Sequence, residues 1–206
     1  LEFRRVLFRS RGCWCCWSKR VFNPCFMFPG TDIELDPILP LPLLAVLALV
    51  LAAVTVRAYR RLGASLARWL ATKQNTDTGQ HKYGLHIQLQ GELGAGKTSL
   101  VRALLRALGV TGHIKSPTYT LVEPYAISGI CLYHFDFYRF TSSQDWLEAG
   151  LREHFEGHAI CLVEWPDKAG DLLPMADLVI RLGITSTGRD AILEAHSDAG
   201  AACLAA

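Results

Sequence analysis

The sequence predicts an α/β fold: one domain with a mainly parallel central sheet flanked by helices, plus an N-terminal extension. Short apolar runs of strand length recur at Leu85 to Leu89, Cys131 to Phe135, Ala159 to Glu164 and Leu178 to Leu182. Segments of helical spacing alternate with them, which is the pattern of strands joined by crossover helices. A glycine-rich turn, Gly91 to Thr98, joins the first of these strands to a helix. The expected division is an extension over 1–56, a domain over 57–198 and a short tail over 199–206.

The extension is the least regular part. Leu1 to Ser10 reads like a translated sequencing adapter. Ile38 to Val56 is a stretch of 19 residues without a charge, long enough to reach across a bilayer. Asp32, Glu34 and Asp36 precede it and Arg57, Arg60 and Arg61 follow, so an anchor here would leave the rest of the chain in the cytoplasm. Pro40 and Pro42 interrupt its start. Three readings of 1–56 stand side by side: an artefactual or mis-started reading frame, a membrane anchor, or a soluble apolar extension or edge strand.

From Ala58 onward Leu62, Leu66, Trp69 and Leu70 lie at helical spacing and predict an amphipathic helix. The polar run Thr72 to Lys82, with Asn75, Asp77 and Gly79, predicts a loop before the alternating strand Leu85 to Leu89. A helix is expected over Thr98 to Leu108, ended by Gly109. Thr118 to Tyr125 has the composition of a strand, and a helix is expected near Ser143 to Phe155.

Charge narrows the function. Lys and Arg number 21 against 19 Asp and Glu, and residues 1–56 hold six and four of them, leaving 15 of each sign for the rest. A neutral domain lacks the basic excess that gripping a nucleic-acid backbone requires, so any contact with RNA would run through a partner. Of seven cysteines, Cys13, Cys15, Cys16 and Cys25 crowd the N-terminus without a second Cys/His pair at metal-site spacing. Cys131 and Cys161 sit in apolar runs and are expected as reduced core thiols.

Gly91-Glu92-Leu93-Gly94-Ala95-Gly96-Lys97-Thr98 has the spacing of a P-loop, between a strand and a helix N-terminus. Backbone N–H groups converge there and the helix dipole favours negative charge, so the loop is suited to nucleotide phosphates. The expected fold is therefore a P-loop NTPase-like single domain. Expected contacts to ATP come from Glu92, Leu93, Gly94, Ala95, Gly96, Lys97, Thr98 and Ser99, with Lys97 on the β- and γ-phosphates and the Thr98 hydroxyl on magnesium. Such a loop needs a carboxylate at a neighbouring strand tip. Glu164, followed by the strand-stopping Trp165-Pro166, and Asp136, at the end of Leu132 to Phe135, are both candidates. Ser116-Pro117-Thr118 lies between the P-loop helix and Asp136 and suggests a switch-like segment whose hydroxyls sense the γ-phosphate or magnesium. His134 and Tyr138 beside Asp136 fit packing or orienting roles.

Taken together, the P-loop, Lys115 to Tyr125, Tyr133 to Arg139 and Leu162 to Pro166 closely resemble the bacterial tRNA threonylcarbamoyladenosine biosynthesis ATPase, the TsaE family. The resemblance covers about Ala58 to Ala195 and extends to Gly188-Arg189, which puts Arg189 among the expected nucleotide contacts. It implies a cytoplasmic Mg-dependent ATPase acting with the threonylcarbamoyl transferase and its dimerisation subunit, with tRNA engaged only through that complex. It also implies that Thr98 and Glu164 hold magnesium while Lys97, Glu164 and Asp136 serve hydrolysis. One departure lies upstream: Leu62-Gly63 matches the family's first helix, but Tyr59 stands where that family carries a threonine. The alternative on the same loop is a small-metabolite kinase, although the segment after Glu164 carries no arginine-bearing lid, Arg181 and Arg189 being its only arginines.

Overall fold

The computed structural model describes residues 10–11, 41–72, 84–185 and 188–205. The cysteine cluster at 13–16 and the start of the charge-free stretch at 38–40 fall outside them. A sheet of seven strands forms the centre, with β1 (Ser10–Arg11), β2 (Leu85–Gln90), β3 (Val122–Ile127), β4 (Ile130–Asp136), β5 (Ile160–Glu164), β6 (Leu178–Thr185) and β7 (Gly188–Ala195) in the spatial order β1-β7-β6-β2-β5-β4-β3. The four central strands run parallel, and β1, β3 and β7 pair antiparallel towards the two edges. Parallel strands covered on both faces need apolar residues on both, and all five residues of β5 are buried.

Alternating side chains divide the interior in two. One face carries Leu85, Ile87, Leu89, Leu132, Ile160 and Leu162 beneath α1 (Leu41–Thr72) and α2 (Lys97–Ala107). The other carries Phe135, Cys161 and Val163 beneath Phe137, Trp146 and Leu151. Helix α1 is continuous across the boundary expected between residues 56 and 57. Its C-terminal half supplies Tyr59, Leu62, Leu66, Trp69 and Leu70 to the core, while Val46, Leu49, Val50, Val54 and Val56 are exposed. No helix among the described residues is long and apolar enough to cross a membrane.

Several expected elements shift. The strand expected over Thr118 to Tyr125 starts at Val122, because Thr118 to Thr120 form a turn and Leu121 has φ 65°. The resulting β3 is an edge strand, where Pro124 costs no ladder hydrogen bond. The helix expected over Ser143 to Phe155 breaks at Gly150 (φ 65°) into α3 (Gln144–Glu148) and a 3-10 turn, Leu151–Phe155. Cys161 is buried as expected, but Cys131 is exposed: β4 lies next to the edge of the sheet, and Cys131 lines an open pocket there with Tyr133, Glu153 and His154. Residues expected as a tail form most of α4 (Asp198–Ala205), which buries Cys203.

Candidate functional site

The site is built at the C-terminal tips of β2, β4 and β5, where an open parallel sheet places its ligands. Gly91 leaves β2 with φ 139°, and a Cβ there would collide with the Leu182 carbonyl. Gly94 (φ 80°) and Gly96 (φ 108°) adopt left-handed backbone that β-carbons disfavour, so the glycine spacing is the geometric condition of the loop. Gly96 caps α2, whose first residues Lys97, Thr98 and Ser99 present their N–H groups to the hollow of the loop. Leu93 at the loop crest is 71% exposed, whereas Ala95 is fully buried.

Lys97 is buried and folded back on its own loop. Its ammonium donates to the Gly91 carbonyl at 2.6 Å and the Glu92 carbonyl at 2.9 Å, and sits 3.7 Å from the centre of the Trp165 ring. Burial pulls its pKa below the usual lysine value, while Glu164, Asp136 and Asp167 act in the opposite direction. Trp165 itself has φ 59°, a conformation rare for a bulky residue, and its ring leans on Tyr138 at 5.0 Å.

The two candidate carboxylates are neighbours. Asp136 and Glu164 are paired in the β4–β5 register, and both are almost fully buried. Thr98 donates its hydroxyl to Glu164 Oε2 at 3.0 Å, and the other oxygen, Oε1, lies 2.9 Å from His134 Nε2. His134 is wholly buried and its Nδ1 has no partner. With a carboxylate oxygen as its partner, Nε2 is the ring nitrogen that acts as the donor. Asp136 is held by three groups: the hydroxyls of Ser116 and Thr118 (2.7 Å) on Oδ2, and the Tyr138 N–H on Oδ1 at 3.0 Å. Thus Lys97, Thr98, Asp136, Glu164, Ser116 and Thr118, drawn from four separate segments, converge. Arg189 lies on β7, where it lines a small cavity with Tyr59, whose hydroxyl reaches the Ala95 carbonyl of the loop.

Magnesium suits these residues. It binds hard oxygen ligands and keeps much of its coordination for water and phosphate, so one hydroxyl and one carboxylate 3.0 Å apart are a sufficient protein contribution. Two features of the site escaped sequence reasoning. The Lys97–Trp165 contact has no local signal, and the full engagement of Glu164 by Thr98 and His134 depends on three elements meeting.

Residues 54–191 match the family described as "Threonylcarbamoyl adenosine biosynthesis protein TsaE". Among similar proteins, the tRNA threonylcarbamoyladenosine biosynthesis protein TsaE of Haemophilus influenzae is 42% identical over 114 residues, covering 55% of this chain and 72% of that one. The protein of the same name from Bacillus subtilis is 38% identical over 99 residues, covering 48% and 61%. The crystal structure of Bacillus subtilis YdiB superposes with a TM-score of 0.56 at 26% identity, over 73% of this chain and 86% of that one.

Proposed function

The chain belongs to the TsaE family of threonylcarbamoyl adenosine biosynthesis proteins, and on that premise we propose that it is the ATP-binding and ATP-hydrolysing component of tRNA threonylcarbamoyladenosine formation. It acts in the cytoplasm with the threonylcarbamoyl transferase and its dimerisation subunit, and reaches tRNA only through them. The observation that carries this reading is the convergence of a glycine-bounded loop, Lys97 and Thr98 with two buried carboxylates on adjacent strand tips.

Each residue has a task that its position supports. Backbone N–H groups of the loop and the α2 N-terminus hold the phosphates. Lys97 exchanges two carbonyls and the Trp165 face for phosphate oxygens, a stronger, charge-assisted partner. Thr98 and Glu164 hold magnesium, with His134 keeping Glu164 turned toward Thr98. Bound there, magnesium supplies charge neutralisation on the phosphates. Asp136 orients the attacking water, and Ser116 and Thr118 tie that carboxylate to the switch-like segment.

The test is ATP turnover by the purified protein alone and mixed with the transferase complex, with Lys97→Ala as control. Stimulated turnover that the variant lacks is expected. Absence of ATP binding in the wild type, or phosphate transfer to a small metabolite instead of water, overturns the reading.

A further inference from the structure

A loop that turns its N–H groups inward turns its carbonyls outward, where they need donors of their own. The Ala95 carbonyl finds one on a distant element: it accepts the Tyr59 hydroxyl of α1 at 2.6 Å. The fit is close, because a Cβ on Gly96 would run into the Tyr59 phenol. Ala95 C=O and Gly96 N–H belong to one planar trans peptide and point in opposite directions. Holding the carbonyl outward therefore aims the Gly96 N–H into the hollow of the loop.

Tyr59 is in turn held from the other side. Arg189 on β7 lines one small cavity with Tyr59, and its guanidinium acts on the phenol oxygen. Burial raises the pKa of Tyr59 and Arg189 opposes that rise, so the hydroxyl remains a proton donor. Tyr59, Leu62, Arg189 and Asp190 line a cavity of about 20 Å³, room for a single water.

We propose that Arg189 and Tyr59 form a relay that sets the phosphate loop, guanidinium to phenol and phenol to the Ala95 carbonyl, and that both are positioning residues for nucleotide binding. The proposal rests on the ATP reading above. A guanidinium on the phenol oxygen polarises the O–H and makes it a better donor, so the two links reinforce each other. The relay joins α1, β7 and the loop, elements far apart in sequence, and gives Arg189 an effect on the nucleotide without touching it.

A double-mutant cycle on the full chain tests it, with Tyr59→Phe, Arg189→Gln and the pair, reading the Mg-ATP dissociation constant by calorimetry and the melting temperature. Each single variant should weaken ATP binding about three- to tenfold, the range of one hydrogen bond. The pair should lose no more than the worse single variant, and partner-stimulated kcat at saturating ATP should stay within about twofold, since the loop acts in binding. Undiminished affinity in Tyr59→Phe overturns the relay, as do additive losses, which would mean that Arg189 contacts the nucleotide independently. If Tyr59→Phe does not fold, Arg189→Gln reads the same link from its other end, and unchanged affinity there overturns the relay as well. Wild-type binding that Lys97→Ala abolishes, with both single variants unaffected, overturns the relay alone; a wild type that binds no ATP overturns the underlying reading too.

Discussion

At the residue scale the two carboxylates look alike in sequence and are distinguished by their partners. Glu164 accepts the Thr98 hydroxyl of the glycine-rich loop's helix, whereas Asp136 accepts the hydroxyls of Ser116 and Thr118, so Glu164 is proposed for the metal and Asp136 for the attacking water. Glu164→Gln should lower Mg-ATP affinity relative to metal-free ATP and stop turnover. Asp136→Asn should bind Mg-ATP within about threefold of wild type and lose roughly a hundredfold or more of stimulated hydrolysis. Affinity titrations with and without magnesium decide it, and the reverse pattern would exchange the two roles. His86 carries a separate expectation. Burial pushes its pKa below the ordinary 6.5, against smaller upward pulls from the Met175 carbonyl, Asp177 and the Pro174 backbone. The unfolded chain thus takes up a proton that the folded chain refuses, and stability falls as pH drops below about 6.5, by at most about 1.4 kcal/mol per pH unit. Urea midpoints at pH 7.5 and 5.5 should show this loss, and His86→Gln should flatten it; an unchanged slope in the variant assigns the loss elsewhere.

At the scale of elements, α1 and α2 cross at Gly63. A Cβ there would lie 2.7 Å from the Leu104 nitrogen and 2.8 Å from the Ala103 carbonyl carbon, and backbone atoms cannot move aside as a flexible side chain can. Alanine in a helix gains up to about 1 kcal/mol over glycine, but overpacking of this kind costs about 1–3 kcal/mol. The second effect wins, so Gly63→Ala should destabilise the protein by about 1–2 kcal/mol in chemical denaturation. A neutral or stabilised variant would show that the helices separate freely, and would loosen the argument that α1 holds Tyr59 rigidly against the loop. The sequence marks α1 through its apolar spacing and matches Leu62-Gly63 to a family pattern, yet the close crossing is visible only once α2 is in place.

At the scale of the whole molecule the charge balance bears on the proposal that RNA is reached through a partner. With 15 basic and 15 acidic residues beyond position 56, that part of the chain has no net positive charge to hold a phosphate backbone. Mixed alone with tRNA at physiological salt, micromolar protein should leave tRNA mobility in a native gel unchanged, and addition of the transferase complex should shift it. A binary complex that weakens steeply with salt would place an RNA-binding surface on this chain.

By itself the sequence determined the α/β class and marked the glycine-rich loop and Lys97, Thr98, Asp136, Glu164, Ser116 and Thr118 as candidates, because these follow from local rules: strand-length apolar runs, glycines where backbone must turn left-handed, and carboxylates at strand ends. It misplaced the start of β3 and the extent of the helix after Ser143, where a turn at Thr118 to Thr120 and the left-handed Gly150 outweighed composition. Only the tertiary structure decided which atoms meet. The parallel register sets Asp136 beside Glu164, α2 turns Thr98 toward Glu164, β4 brings His134 to its other oxygen, and α1 with β7 closes Tyr59 and Arg189 on the back of the loop. The hydrogen bonds of Thr98 to Glu164, His134 to Glu164 and Tyr59 to Ala95 join residues 66, 30 and 36 positions apart, and bonds over such separations come from the packing of whole elements, about which local spacing carries no information.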